Sequence, residues 1–200
     1  MRYTIINDIL TKGALLGCVL LLSRIAEVLM ITYAQGLVWL FCASIISILL
    51  TLFYAYLTYL YTRHFADVTL SEYEGLTRFT YGNGLAFVAV VSLLAGVVAS
   101  LGEWLFIHYV IGFNEFNTAN ISLLEEMYSI LQTGVSSEFT ETLNLAISQS
   151  IILMQQQDEP AIIESVLYGS WNTFSWGILL GLIIAAFTRR TANRTENSNE

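Results

Sequence analysis

The chain contains 200 residues, of which 56% are hydrophobic and 12% are charged, and its net charge is −8. Soluble globular domains have about a quarter charged residues, so this composition excludes that class and indicates an integral membrane protein. Nucleic-acid binding is also disfavoured, because the chain is acidic and contains no long basic run.

Four hydrophobic runs are long enough to cross a hydrocarbon core, which is ~30 Å thick and requires roughly 20 helical residues. They predict an all-α integral membrane protein with four antiparallel transmembrane helices in a single membrane domain, residues 1–200. Only residues 34–36 separate the first two runs, so these should form a helical hairpin. The predicted spans are about 14–33, 37–60, 85–111 and 165–187.

The basic residues are distributed unevenly among the connections. The segment from Gly112 to Ile162 contains no Lys or Arg but carries seven acidic residues. Because cytoplasmic loops retain Lys and Arg, both termini and the loop 61–84 should be cytoplasmic, and residues 112–162 should be external. Within the inner loop, Gly82-Asn83-Gly84 is expected to break or bend the chain. The basic residues outside the spans are Arg2, Lys12, Arg63, Arg78, Arg189, Arg190 and Arg194.

The external segment 112–162 is predicted to form an acidic helical insertion of two amphipathic helices. A helical hairpin of about 40 residues is too small to support its own core. It must therefore pack on the bundle, on lipid, on a second copy or on another protein. Anionic lipid surfaces attract basic segments, so protein contact is the favoured interpretation. The apolar stripes are Ile121, Leu124, Tyr128 and Leu131, then Phe139, Leu143, Ile147, Ile151 and Met154.

The ends of the last span carry their own signals. Asp158 and Pro160 suit the cap and first turn of the fourth membrane helix. The polar tail 191–200 should be a disordered cytoplasmic extension.

Three ionisable residues within the spans form a candidate intramembrane polar cluster. Arg24 and Glu27 are three residues apart and share one helical face. Glu103 in the third span lies at a depth similar to that of Glu27, about 10–12 Å below the external surface. One interpretation is a proton or ion relay or a polar binding site. The alternatives are a buried ion-pair network that sets helix register, and docking to a partner's membrane helix.

Metal, cofactor and disulfide sites are not predicted. His108 is close to the external interface and is expected to be solvated, and its five-residue distance from Glu103 turns the two side chains apart. Cys18 and Cys42 differ in depth by roughly 15 Å at 1.5 Å per residue, too far for a disulfide. No catalytic residues are identified.

Small residues recur every four positions in the spans, which lets helix backbones approach closely in lipid. Packing within the bundle is the favoured interpretation, and a homodimer through the fourth span is the alternative. The candidate packing residues of the fourth span are Gly169, Thr173, Gly177 and Gly181; the second span has Ala43, Ser47, Thr51 and Ala55.

From Thr80 onward the chain resembles the bacterial membrane proteins of domain of unknown function family 4199. The resemblance rests on the segments 79–85 and 177–190 and on the aromatic residues Trp104, Phe106 and Tyr109. It implies a small four-span protein of the bacterial inner (plasma) membrane, with a helical periplasmic insertion and no assigned activity.

Together these features predict a non-enzymatic accessory, assembly or scaffold component of the inner membrane. It would be embedded in the lipid bilayer, and its external helices would contact a membrane or periplasmic protein. The alternative function is a small transporter or channel that uses the cluster of Arg24, Glu27 and Glu103.

Overall fold

The computed structural model of the chain describes residues 2–34, 37–72, 78–132 and 137–191. These residues form six α-helices, one π-helical turn and two short strands. The helices are α1 (Arg2–Tyr33), α2 (Leu37–Glu72), α3 (Tyr81–Phe106), α4 (Phe113–Gln132), α5 (Ser137–Gln155) and α6 (Ile162–Thr188); the π-helical turn is Ile107–Ile111, and the strands are β1 (Arg78–Phe79) and β2 (Arg190–Thr191).

The prediction of four membrane-spanning helices is confirmed. The described residues contain four helices that are long and apolar enough to cross a bilayer: Ile6–Tyr33, Val38–Leu70, Tyr81–Ile111 and Ile162–Thr188. Each is longer than the predicted span, because hydropathy marks the part that fits the hydrocarbon core and the helix continues beyond it. The segment 61–72, predicted as part of a loop, continues α2 since it contains neither Pro nor Gly to end the helix.

α3 is the central helix of the bundle. It packs most extensively against α6 and α1, while α2 packs mainly against α1 and has much less contact with α3 and α6. The close approach of α3 and α6 depends on small residues: a Cβ at Gly177 would overlap the side chain of Ser92, and one at Gly96 would lie 2.9 Å from the backbone of Ser170. The small-residue spacing of α6 therefore serves packing inside this chain.

The two strands join the ends of α3 and α6. β1 and β2 are antiparallel, with Arg78 opposite Thr191 and Phe79 opposite Arg190. Thr80 then caps α3 by accepting a hydrogen bond from the backbone N–H of Asn83, at 3.3 Å.

The expected break at Gly82-Asn83-Gly84 is wrong, because these residues form the first turn of α3. Gly84 is required there for packing: a Cβ would meet the side chains of Ala185 and Thr188 at 3.2 Å.

At the opposite end, the π-helical turn and Gly112 lead from α3 into α4. Gly112 has φ 94°, a left-handed conformation that glycine adopts at little cost, and its N–H closes the turn on the carbonyl of Ile107 at 2.7 Å. α4 packs against α1 and α5.

α4 and α5 occupy the connection where two amphipathic helices are predicted. Which side of the membrane they face stays a prediction. The N-cap of α6 is Ala161, without a side-chain bond, so the prediction of Asp158 and Pro160 as cap and first turn is wrong. The expected turn at residues 35–36, the junction between the two predicted amphipathic helices at residues 133–134 and the tail 192–200 lie outside the described residues.

Candidate intramembrane polar site

Arg24 of α1 joins three membrane helices. Its Nη1 donates to Glu103 Oε2 of α3 at 2.5 Å and to Ser100 Oγ at 3.2 Å, and its Nη2 donates to Thr173 Oγ1 of α6 at 3.3 Å. The side chains of Arg24 and Glu103 are 23% and 29% exposed, so the ion pair is largely buried. Bundle packing fixes this position, because Gly169 lets Ser100 and the guanidinium approach α6.

The pair lies deep in the membrane-spanning part of the bundle. Arg24 precedes Tyr33, the last residue of α1, by nine positions, which corresponds to roughly 14 Å at 1.5 Å per residue. This is near the middle of a ~30 Å hydrocarbon core, where an unpaired arginine costs about 2.5–3.5 kcal/mol on insertion scales. The carboxylate and two hydroxyls on α3 and α6 offset that cost, so α1 is stable in the membrane because it is part of the bundle.

Glu27 shares the face of Arg24 but remains outside the bonded cluster. It is exposed, one turn closer to the end of α1, and makes no ion pair or hydrogen bond with any described residue. The structure thus brings Arg24 and Glu103 together and leaves Glu27 beside them with a free carboxylate. The three groups carry one positive and two negative charges.

A cavity of about 570 Å³ lies between these charges and α4; we call it the roofed cavity. Its floor includes Arg24, Glu27 and Glu103, and its roof comes from α4, from the end of α5 and from the connection between α5 and α6. The roof residues are Phe113, Phe116, Asn117, Asn120, Met154, Gln157, Glu159 and Pro160. The cavity is therefore a polar space that reaches from the α4 end of the bundle down to the ion pair.

The connection between α5 and α6 is bonded to one side chain of α3 and to one of the π-helical turn that follows it. Trp104 Nε1 donates to the carbonyl of Pro160 at 3.0 Å, and His108 Nδ1 lies 2.6 Å from Glu159 Oε1. The rings of Trp104 and His108 stack at 4.7 Å with an interplanar angle of 10°. On the other side of the roof, Asn117 Nδ2 donates to the carbonyl of Met154 at 2.7 Å. These bonds hold the roof over the cavity.

The sequence analysis missed two contacts. His108 was expected to be solvated, yet it has Glu159 as a partner 51 residues later, a separation that no local pattern reveals. Lys12 was expected to flank the first span, but it is only 7% exposed inside the bundle. It pairs with Asp8 at 2.5 Å and lies 5.8 Å from the ring centroid of Tyr61. The i, i+4 spacing of Asp8 and Lys12 was the available signal.

A second space, which we call the lateral cleft, opens between α2 and α6 and has a volume of about 650 Å³. Its floor is α1. Arg24, Glu27 and Asn172 line both the cleft and the roofed cavity, so the two spaces meet at these residues. The remaining lining residues of the cleft are mostly apolar: Leu20, Ser23, Ser47, Thr51, Tyr54, Ala55, Thr173, Trp176, Leu179, Leu180 and Ile183.

The structure also places the remaining predicted residues. Gly169, Thr173, Gly177 and Gly181 are buried on the face of α6 that packs against α3. Cys18 and Cys42 are free thiols. Within the described ranges, no three His, Cys, Asp or Glu side chains lie close enough together to hold a metal ion.

Comparison with protein families finds one match that covers most of the chain. The profile of the family described as Protein of unknown function (DUF4199) matches residues 11–190. This range is longer than the part of the chain in which the sequence resemblance was recognised, which begins at Thr80. It also includes α2 and most of α1. Searches of curated proteins and of solved structures find no match.

Proposed function

The chain belongs to the DUF4199 family, whose function is unknown, and from the geometry of its helices we propose a non-enzymatic accessory role in a membrane. In this role α5 binds a partner protein at the membrane surface, and the four-helix bundle serves as the anchor. The charge distribution favours the side away from the cytoplasm for α4 and α5.

The observation that carries the proposal is the apolar surface of α5. This helix packs against α4, and its half-buried residues Ile147, Ile151 and Met154 lie toward one side. On the other side Leu145, Ile152 and Leu153 are 62%, 51% and 68% exposed. Clustered apolar side chains of this kind are typical of a surface that another molecule covers.

The charges around α5 indicate the chemistry of that molecule. The segment from Gly112 to Ile162 has seven acidic residues and no Lys or Arg. An anionic membrane surface would be repelled by this segment, whereas a protein groove flanked by basic residues would be attracted. We therefore infer a partner protein that offers an apolar groove with a basic rim.

The test is affinity purification from native membranes in mild detergent with two matched variants. Leu153→Glu places a charge at the most exposed of the three apolar residues, and Asn114→Glu adds the same charge at an exposed position of α4. Loss of a buried apolar anchor costs ~2 kcal/mol or more, so recovery of the partner should fall by roughly 30-fold for Leu153→Glu alone.

A partner counts as specific only if it is lost with Leu153→Glu and retained with Asn114→Glu. Two results would contradict the proposal. One is a purified wild-type protein that is monomeric and free of any stoichiometric partner. The other is equal recovery of every co-purified protein with both variants.

A further inference from the structure

The lateral cleft is open to the hydrocarbon of the membrane. Its walls, α2 and α6, are both membrane-spanning helices, and Thr51, Trp176, Leu179 and Ile183 along its edges are exposed. An occupant would therefore enter sideways from the bilayer. Along α6 the cleft extends from Asn172 to Ile183, roughly 16 Å at 1.5 Å per residue, which suits an acyl chain.

The end of the cleft beside Arg24 carries polar groups without partners. Glu27 and Asn172 form no hydrogen bond or ion pair with any residue that the structure describes. Arg24 uses three of its five N–H groups in the bonds to Ser100, Glu103 and Thr173. Polar groups at membrane depth are stable only when they are matched, so this end of the cleft requires both a donor and an acceptor.

We propose that the lateral cleft binds a phospholipid whose headgroup carries a primary ammonium, with the headgroup at Arg24 and Glu27 and an acyl chain between α2 and α6. The ammonium donates to the Glu27 carboxylate, and the phosphate accepts from the unused N–H groups of Arg24 and from Asn172. The cluster has one positive and two negative groups, and Arg24 is already paired with Glu103. The ammonium of a zwitterionic headgroup therefore supplies the counter-charge that Glu27 lacks.

Other lipid headgroups match these groups less well. A phosphatidylglycerol headgroup supplies the phosphate but leaves the Glu27 carboxylate without a cation. A phosphatidylcholine headgroup has the cation but no N–H to donate. A fatty acid would place its carboxylate beside Glu27, where like charges repel. The roofed cavity above provides the polar space in which the headgroup can remain hydrated.

The experiment measures lipid binding to the delipidated full-length protein by native mass spectrometry. The probes are dioleoyl phosphatidylethanolamine, phosphatidylcholine and phosphatidylglycerol, which share the same acyl chains and differ in their headgroups. The ethanolamine lipid should bind at least tenfold more tightly than the other two. Glu27→Gln should weaken its binding about tenfold, the effect of losing one charge-assisted hydrogen bond.

Glu115→Gln is the matched control, because Glu115 is exposed on α4 and lines neither space. It should leave binding unchanged. Thr51→Phe, which fills the cleft, should weaken binding of the ethanolamine lipid while the helical circular dichroism remains that of the wild type.

Three outcomes would overturn the proposal. The first is equal binding of the three lipids, and the second is equal behaviour of Glu27→Gln and Glu115→Gln. The third is displacement of the lipid by millimolar phosphoethanolamine alone, which would assign the headgroup site to a soluble amine. Thr51→Phe with undiminished lipid binding would likewise exclude the cleft as the position of the acyl chain.

Discussion

The ion pair between Arg24 and Glu103 allows a quantitative test of how α1 is held in the bundle. Replacing Glu103 by Met removes the carboxylate and leaves the guanidinium with only the hydroxyls of Ser100 and Thr173. Breaking a fully buried pair costs about 3–5 kcal/mol. Because the two side chains are 23% and 29% exposed, the lower end applies, and the free energy of unfolding should fall by ~3 kcal/mol.

The double replacement of Arg24 and Glu103 by Met should be less damaging than Glu103→Met alone. It removes both charges, and two unbranched apolar side chains of similar length fill the space, so the expected loss is ~1 kcal/mol. Arg24→Met alone should cost ~2 kcal/mol, because the Glu103 carboxylate that loses its cation lines the polar roofed cavity and is 29% exposed. The sum of the two single losses would therefore exceed the loss in the double variant by ~4 kcal/mol, which is the coupling energy between the two residues.

The assay is equilibrium unfolding in mixed micelles, in which sodium dodecyl sulfate is titrated into the protein in mild detergent and helicity is followed by circular dichroism. Ser100→Ala is the control, and since it removes one weak bond to Arg24 it should cost under ~1 kcal/mol. The reasoning is refuted if the double variant loses as much stability as the sum of the two single variants.

Two further predictions concern packing and the roof. Gly177→Val should lower the free energy of unfolding by ~2 kcal/mol, because its side chain would overlap Ser92 on α3. Gly82→Ala should change it by less than ~0.5 kcal/mol in the same unfolding assay, because the added Cβ would meet only Thr80 Oγ1, at 3.9 Å. Trp104→Phe removes the hydrogen bond to the carbonyl of Pro160, and amide hydrogen exchange in the connection between α5 and α6 should accelerate roughly fivefold for a loss of ~1 kcal/mol; unchanged exchange would show that this bond does not hold the roof.

The sequence predicts the membrane helices well because their signal is local. Runs of apolar residues must satisfy every backbone group within the helix, so length and hydropathy are sufficient to identify them. Helix ends are less well predicted. Thr80 caps α3 and draws Gly82 and Gly84 into its first turn, although the glycines alone indicate a break. A single side-chain bond and a contact with α6 decided that boundary.

The polar site was partly predictable from depth along the helices. Arg24 and Glu103 lie at comparable depths and on helices that must share one bundle, which made a pair between them a reasonable hypothesis. Whether Glu27 would join them depended on how α1 is rotated about its own axis. That rotation is set by packing against the other helices and cannot be read from the position of Glu27 in the sequence. In the structure α1 turns Arg24 toward α3 and α6 and leaves Glu27 at the opening of the two spaces.

The lateral cleft exists because the small residues of α6 pack against α3 and not against α2. The stripe of Ala43, Ser47, Thr51 and Ala55 on α2 predicts a close neighbour along its whole length. Ala43 is buried and Ser47 Oγ lies 3.2 Å from Ser23 Oγ of α1, whereas Thr51 is exposed and Ala55 is only half-buried. α6 cannot fill that position, because its own glycines already pack against α3. Thr51 and Ala55 therefore line an opening at membrane depth, and in a bilayer the molecules available to fill such an opening are lipids.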